Sequence, residues 1–247
     1  MNSLELKTKI FADGADLAGM LEMYRNPFIK GFTTNPSLMR RAGITDYETF
    51  AKHVLSIIHD RPISFEVFSD DFKEMYRQAL KIASWGNNVY VKIPITNTKG
   101  ESALDVIRSL SLAGVKQNVT ALMTLAQVQA VIPALSQGPS AYVSVFAGRI
   151  ADTGRDPLPF MQNAIKLMHP YPQLELIWAS PRELFNIFQA HNMGCHIITV
   201  TNDIIKKMHL IGKDLQQFSL ETVQLFYDDA VKAGFTLKTE DLVTTLE

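Results

Sequence analysis

Short apolar runs alternate along the chain with longer segments in which apolar residues return every three or four positions. Eight of these runs have the length and the β-branched or aromatic content of strands, at 9–13, 29–33, 63–67, 89–93, 115–119, 141–145, 174–178 and 195–200. Each is followed by a helical segment. After the second run, Thr45-Asp46-Tyr47-Glu48 has the form of a capping box, and Tyr47, Phe50, Ala51, Val54, Leu55 and Ile58 keep to one face. After the third, Phe72, Met75, Tyr76, Ala79, Leu80 and Ala83 do the same. After the seventh, Ser180-Pro181-Arg182-Glu183 joins an N-cap, a proline at the first helical position and a capping-box glutamate, and Gly194 closes the helix. Helices beginning near Asp16, Gly100, Thr124, Pro157 and Asn202 are less regular, and Pro133 kinks or ends the fifth. A further helix lies beyond the eight units: Ser219 caps it, Val223, Phe226, Tyr227, Ala230 and Val231 form its stripe, and Gly234 ends it.

Strict strand–helix alternation implies a parallel sheet with right-handed crossovers. Eight such units in 247 residues fit a single closed (βα)8 TIM barrel, with the helix at 219–234 outside the repeats and no linker within 1–247. A Gly-x-Gly-x-x-Gly turn and a P-loop are absent, which removes support for an open nucleotide-binding sheet. With 47% hydrophobic and 20% charged residues and a net charge of −1, the chain has no electrostatic case for nucleic acid or an anionic membrane. Small molecules, or further copies of itself, are the expected partners. Cys195 is the single cysteine, so no internal disulfide can form. The first residues have neither the basic nor the apolar region of a signal peptide, and no apolar run reaches membrane-spanning length. The expectation is a soluble, unprocessed protein of the cytoplasm.

Chemistry enters with Lys92, set inside the apolar run Val89-Tyr90-Val91-Lys92-Ile93-Pro94-Ile95. Burying an unpaired ammonium is costly and lowers the lysine pKa from its usual value of about 10.4, giving a neutral amine able to attack a carbonyl. The plain alternative is a lysine that extends its charge to solvent. The other strand ends bear on the choice, since the chemistry of such barrels gathers there. They carry Asp13, Thr33-Thr34-Asn35, Glu66, Thr120, Ser144 with Arg149, Ser180 with Arg182, and Thr199-Val200-Thr201-Asn202. Singly, each has a structural explanation as a cap, a turn or a satisfied wall residue. Their common position points to an active site around Lys92. An iminium on that lysine would be an electron sink for breaking a carbon–carbon bond. Asp13 and Glu66 can act as bases, Thr120 can hold a water beside Glu66, and Asn35 and Ser144 can grip hydroxyls. Arg149 and Arg182, with a helix N-terminus at Ser180, suit a phosphate. A phosphorylated sugar is the implied substrate. No cluster of histidine and carboxylate is visible for a metal, His191 and His196 fitting a helix end and the following strand, and no cofactor is called for.

These motifs resemble those of the transaldolases and the related fructose-6-phosphate aldolases, Schiff-base enzymes on a (βα)8 barrel. Gly31-Phe32-Thr33-Thr34-Asn35-Pro36-Ser37 resembles the family's Thr-Thr-Asn-Pro-Ser motif, and Tyr90-Val91-Lys92-Ile93-Pro94 the segment with its Schiff-base lysine. Asn118-Val119-Thr120, Ser144-Val145-Phe146-Ala147-Gly148-Arg149 and Ala179-Ser180-Pro181-Arg182 are similar to its water, phosphate-arginine and second anion segments. The resemblance implies Lys92, Asp13, Glu66 and Thr120 as catalytic residues. It implies Thr33, Asn35, Ser144, Phe146, Arg149, Ser180 and Arg182 as substrate-binding. Glu66 and Phe146 resemble the transaldolase branch, the aldolases usually having glutamine and tyrosine there. Transfer of a dihydroxyacetone unit from sedoheptulose 7-phosphate or fructose 6-phosphate to an aldose phosphate, as in the pentose phosphate pathway, is therefore expected. The alternatives are release of free dihydroxyacetone, or action on another anionic ketose such as a sulfonate. Gly14, Pro181 and Thr201-Asn202 depart from the family pattern. Small members of the family form ring-like oligomers through a C-terminal helix, which implies a homo-oligomer here.

Overall fold

The computed structural model describes residues 6–239; residues 1–5, which were part of the signal-peptide reading, and 240–247 lie outside it. In order the elements are β1 (Lys9–Asp13), α1 (Leu17–Tyr24), β2 (Ile29–Thr33), α2 (Pro36–Arg41), α3 (Tyr47–Ile57), β3 (Ile63–Glu66), α4 (Phe72–Ala83), β4 (Val89–Pro94) and α5 (Leu104–Leu112). They continue as β5 (Gln117–Leu122), α6 (Leu125–Leu135), β6 (Ala141–Val145), α7 (Ala147–Asp152), α8 (Leu158–Met168), β7 (Leu174–Trp178), α9 (Phe185–Asn192), β8 (Ile197–Thr201), α10 (Asn202–Lys206) and α11 (Leu215–Lys232). The strands pair in parallel in sequence order and close on themselves, β1 meeting β8: a (βα)8 barrel. Residues through Lys206 form one compact unit; those from Lys207 form a second, which contains a 3-10 turn and α11.

Strand side chains alternate between two faces, so an inward residue fixes the direction of the one two positions on. Phe11, Tyr90, Tyr142, Ile177 and Ile197 pack together in one buried cluster. Tyr90 stacks on Tyr142 at 4.0 Å, and Phe11 meets Tyr142 edge-on at 5.7 Å. Two residues further along the same strands stand Asp13, Lys92, Ser144, Ala179 and Thr199. The aromatic floor thus sets the direction of the chemical groups above it. Gly31 belongs to this floor: a Cβ there would lie 2.6 Å from the Phe11 ring.

Several local expectations are corrected. β5 begins and ends later than 115–119, and β8 starts at Ile197 rather than at 195. In β5 the register to β6 shifts between Val119 and Leu122, where Ala121 takes φ +66. A bulge there turns the strand end and was not visible in periodicity. Helix α3 is capped by Asp46, which accepts from Thr49 N, rather than by Thr45. The Asn35-Pro36-Ser37 turn opens the short helix α2, with Asn35 Oδ1 accepting from Leu38 N at 2.9 Å. Ser180 does not cap a helix: it has φ +56, and α9 starts only at Phe185. Pro133 lies inside α6, which ends two residues later at Leu135. Helix α11 begins at Leu215 behind the N-cap Asp214, four residues ahead of the expected Ser219.

Candidate active site

The carboxyl ends of the strands surround a cavity of about 530 Å3. Asp13, Thr33, Asn35, Glu66, Lys92, Thr120, Ser144, Phe146, Arg149, Ser180 and Arg182 all line it. So do Ser37, Arg41, Thr199 and Thr201. The eight strands converge on one mouth, as their order in a closed barrel requires.

Lys92 is only 6% exposed, yet it does not stand in the apolar surroundings its neighbours in sequence suggested. Its Nζ lies 3.3 Å from Glu66 Oε2 and donates to the Thr34 carbonyl at 3.2 Å. The partner comes from the adjacent strand, since Glu66 is in register with Lys92 across β3 and β4. A buried ammonium with a carboxylate in reach can pass its proton on without leaving a lone charge behind.

Asp13 is half-buried, and partial burial pushes its pKa above the ordinary carboxylate range, against the opposing pull of Lys92 and a hydrogen bond from Thr33. Thr33 Oγ1 donates to Asp13 Oδ1 at 2.7 Å and also meets Thr199 Oγ1. A hydroxyl has one proton, so with that of Thr33 committed to Asp13, Thr199 donates to Thr33. The register of β1 with β2 accounts for the first of these contacts, since Asp13 pairs with Thr33. A second polar row supports Ser144, whose Oγ donates to Asn118 Oδ1 at 2.7 Å while Asn118 Nδ2 donates to Ser64 Oγ at 3.0 Å. Thr120 differs from all of these. Its Oγ1 is buried, lines the cavity and has no partner among the described residues. An unpartnered buried hydroxyl costs stability, and one facing a cavity is suited to a ligand or a water there.

One corner of the mouth is built by a close approach of backbones. A Cβ on Gly148 would fall 1.5 Å from the Ser180 carbonyl oxygen, so only glycine lets the start of α7 lie against the end of β7. This contact brings Arg149, from α7, next to Ser180 and Arg182. Arg149 lies over the Phe146 ring at 5.1 Å. Arg182 is engaged by Asp152, its Nε donating to Oδ1 at 2.9 Å and its Nη2 to Oδ2. That pair holds the Asp152 carboxyl below its usual range. The corner therefore has no helix N-terminus at Ser180, and the Asp152 carboxylate, hydrogen-bonded to Arg182, also lies in the field of Arg149. Asp152, Thr199 and Arg41 were not singled out from the sequence; Thr199 stood among the strand ends, while the other two lie on helices where no pattern marks them. Among the described residues no group of three or more His, Cys, Asp or Glu could hold a metal ion, and no helix is long and apolar enough to cross a membrane.

Comparison with known proteins places this site in a family. Solved barrels show the fold: an aldolase called QR15 has a TM-score of 0.56 at 11% identity, over 85% of this chain and 100% of its own. N-acetylneuraminate lyase from Mycoplasma synoviae has a TM-score of 0.51 at 13% identity, over 91% of this chain and 81% of its own. Sequence relatives are nearer. A "Probable transaldolase" of Thermoanaerobacter sp. (strain X514) is 34% identical over 230 residues, covering 93% of this chain and 100% of the relative. One from Streptococcus equi subsp. zooepidemicus (strain MGCS10565) is 36% identical over 201 residues, 81% of this chain and 89% of the relative. Residues 10–245 match the family model described as Transaldolase/Fructose-6-phosphate aldolase. With that match over nearly the whole chain, and a lysine, two carboxylates and two arginines around one cavity, the chain belongs to the transaldolase/fructose-6-phosphate aldolase family.

Proposed function

We propose that this enzyme transfers a dihydroxyacetone unit from a phosphorylated ketose to an aldose phosphate through a Schiff base on Lys92. The observation that carries the reading is the buried Lys92 amine at the cavity, 3.3 Å from Glu66 and within the field of a second half-buried carboxyl, Asp13. Lys92 passes a proton to Glu66 and attacks the C2 carbonyl of the ketose, and loss of water leaves an iminium. A water between Glu66 and the unpartnered Thr120 hydroxyl relays the protons of these steps. Asp13, held by Thr33, takes the proton of the C4 hydroxyl. The C3–C4 bond then breaks, its electron pair flows into the iminium, and the aldose phosphate leaves. The resulting enamine adds to the carbonyl of the acceptor, Asp13 returns the proton, and water releases the new ketose. Asn35, through the Nδ2 that its capping role leaves free, and Ser144 hold the hydroxyls of the transferred unit. Arg149, Ser180 and Arg182 hold the phosphate.

Phe146 supports transfer over release. Its ring lies against the floor cluster and supplies no hydroxyl that could protonate the enamine. With purified protein, sedoheptulose 7-phosphate or fructose 6-phosphate is consumed in step with an added aldose phosphate and little without one. Steady formation of free dihydroxyacetone in the absence of acceptor makes the enzyme a lyase instead. The site uses no metal or organic cofactor. A reducing cytoplasm and assembly through α11 belong to the same proposal.

A further inference from the structure

We infer that Thr199 is a positioning residue for carbon–carbon cleavage: by donating to Thr33, it holds the Thr33 hydroxyl on Asp13. This rests on the Schiff-base reading and adds to it a residue of β8, a strand to which that reading gives no part. The three groups form one chain. Thr33 Oγ1 donates to Asp13 Oδ1 at 2.7 Å, and Thr199 Oγ1 meets Thr33 Oγ1. β1 runs between β2 and β8, so the hydroxyls of Thr33 and Thr199 reach each other across its inner face. Both threonines are buried, and both line the cavity.

Packing alone does not call for hydroxyls at these two positions. Valine has nearly the shape of threonine, and the residues on either side of Thr199 in β8, Ile198 and Val200, are apolar and fully buried. A buried hydroxyl costs stability unless its hydrogen-bonding capacity is met. Here it is met by a chain that ends on Asp13. An ionised carboxylate only accepts, so Thr33 gives its single proton to Asp13 and its oxygen takes the proton of Thr199. Removing the Thr199 hydroxyl leaves the Thr33 oxygen without that donor and takes away the contact that keeps its proton turned toward Asp13. Hydroxyls in series also polarise one another, so the bond that remains is weaker. Asp13 is then a less well placed base for the C4 hydroxyl as the C3–C4 bond breaks. Schiff-base formation runs through Lys92, Glu66 and Thr120 and does not use this chain.

Borohydride reduction with fructose 6-phosphate, followed by peptide mass spectrometry, separates the two stages, because the adduct on Lys92 has six carbons and a phosphate before cleavage and three carbons after it. The wild-type enzyme is expected to give mainly the three-carbon adduct. Thr199→Val should raise the ratio of the six-carbon to the three-carbon adduct about tenfold while the total trapped on Lys92 is unchanged. Thr199→Ser, which keeps the hydroxyl, should return the ratio close to the wild-type value. In a Thr33→Val background Thr199→Val should add nothing, because its effect passes through Thr33. An unchanged ratio in Thr199→Val, a full further effect in the Thr33→Val background, or a fall of both adducts together overturns the role of Thr199 while the Schiff base of the wild type stands. Absence of any adduct on Lys92 of the wild-type enzyme removes the Schiff-base reading and this inference with it.

Discussion

Asp13, the proposed base, shows how a site residue is held at a cost to the fold. Its carboxyl is half-buried and its pKa raised, so between the unfolded and folded values the native state binds more protons than the unfolded chain. Stability from this group is therefore greatest below the unfolded pKa of about 3.9 and falls as pH rises through the folded value. Asp13→Asn keeps an acceptor for Thr33 and removes the ionisation. The difference in melting temperature, variant minus wild type, should grow in favour of the variant from pH 4.5 to pH 8, while turnover is lost. Thermal melts across that range check it, and a difference that shrinks with pH contradicts it. Asp13, Glu66, Lys92, Thr120 and Ser144 were legible in the sequence because each is a polar residue within or at the end of an apolar run, and the period of two sends such residues to one mouth. The partners that tune them were not. Thr33 meets Asp13, Thr199 meets Thr33 and the Thr34 carbonyl meets Lys92, across strands whose register the sequence leaves open.

Elements were legible where local signals and packing agree. β1, β2, β6 and β7 have the ends the hydrophobic pattern suggests, and α4 spans the residues of its apolar stripe. The pattern failed where two elements press together. Ser180-Pro181-Arg182-Glu183 has every local mark of a helix start, but the Ser180 carbonyl is held against Gly148 and the residue takes a left-handed backbone, which delays α9. That contact assembles the corner proposed to hold the phosphate. Arg149 has no carboxylate tied to it, whereas Arg182 shares its charge with Asp152. Arg149→Ala should raise KM for phosphorylated sugars by tenfold or more and affect unphosphorylated dihydroxyacetone donors little, with a smaller effect from Arg182→Ala. Steady-state kinetics on both donor types decides this. Equal losses on the two would make Arg149 a structural residue.

At the scale of the whole molecule, the alternation of eight short runs with eight helices was enough for the barrel, because closure in sequence order is what such alternation allows. The second unit was less legible. Its helix α11 has the apolar content expected, but the nearer cap Asp214 starts it earlier than Ser219. No residue of α11 is buried, and Phe226 and Tyr227 are 66% and 69% exposed. A run of exposed apolar residues of this extent marks a contact surface, and the proposed partner is another copy of the chain. Phe226→Glu with Tyr227→Glu should shift the particle to smaller mass in sedimentation while the circular dichroism of the barrel is retained. A wild-type monomer at micromolar concentration contradicts the assembly.

The claim on which the rest depends is the covalent role of Lys92, and peptide mass spectrometry after borohydride reduction in the presence of fructose 6-phosphate tests it most directly. The account predicts a reduced dihydroxyacetone adduct on the peptide containing Lys92, absent when the sugar or the borohydride is left out. An unmodified Lys92 peptide, or the adduct on a different lysine, contradicts it.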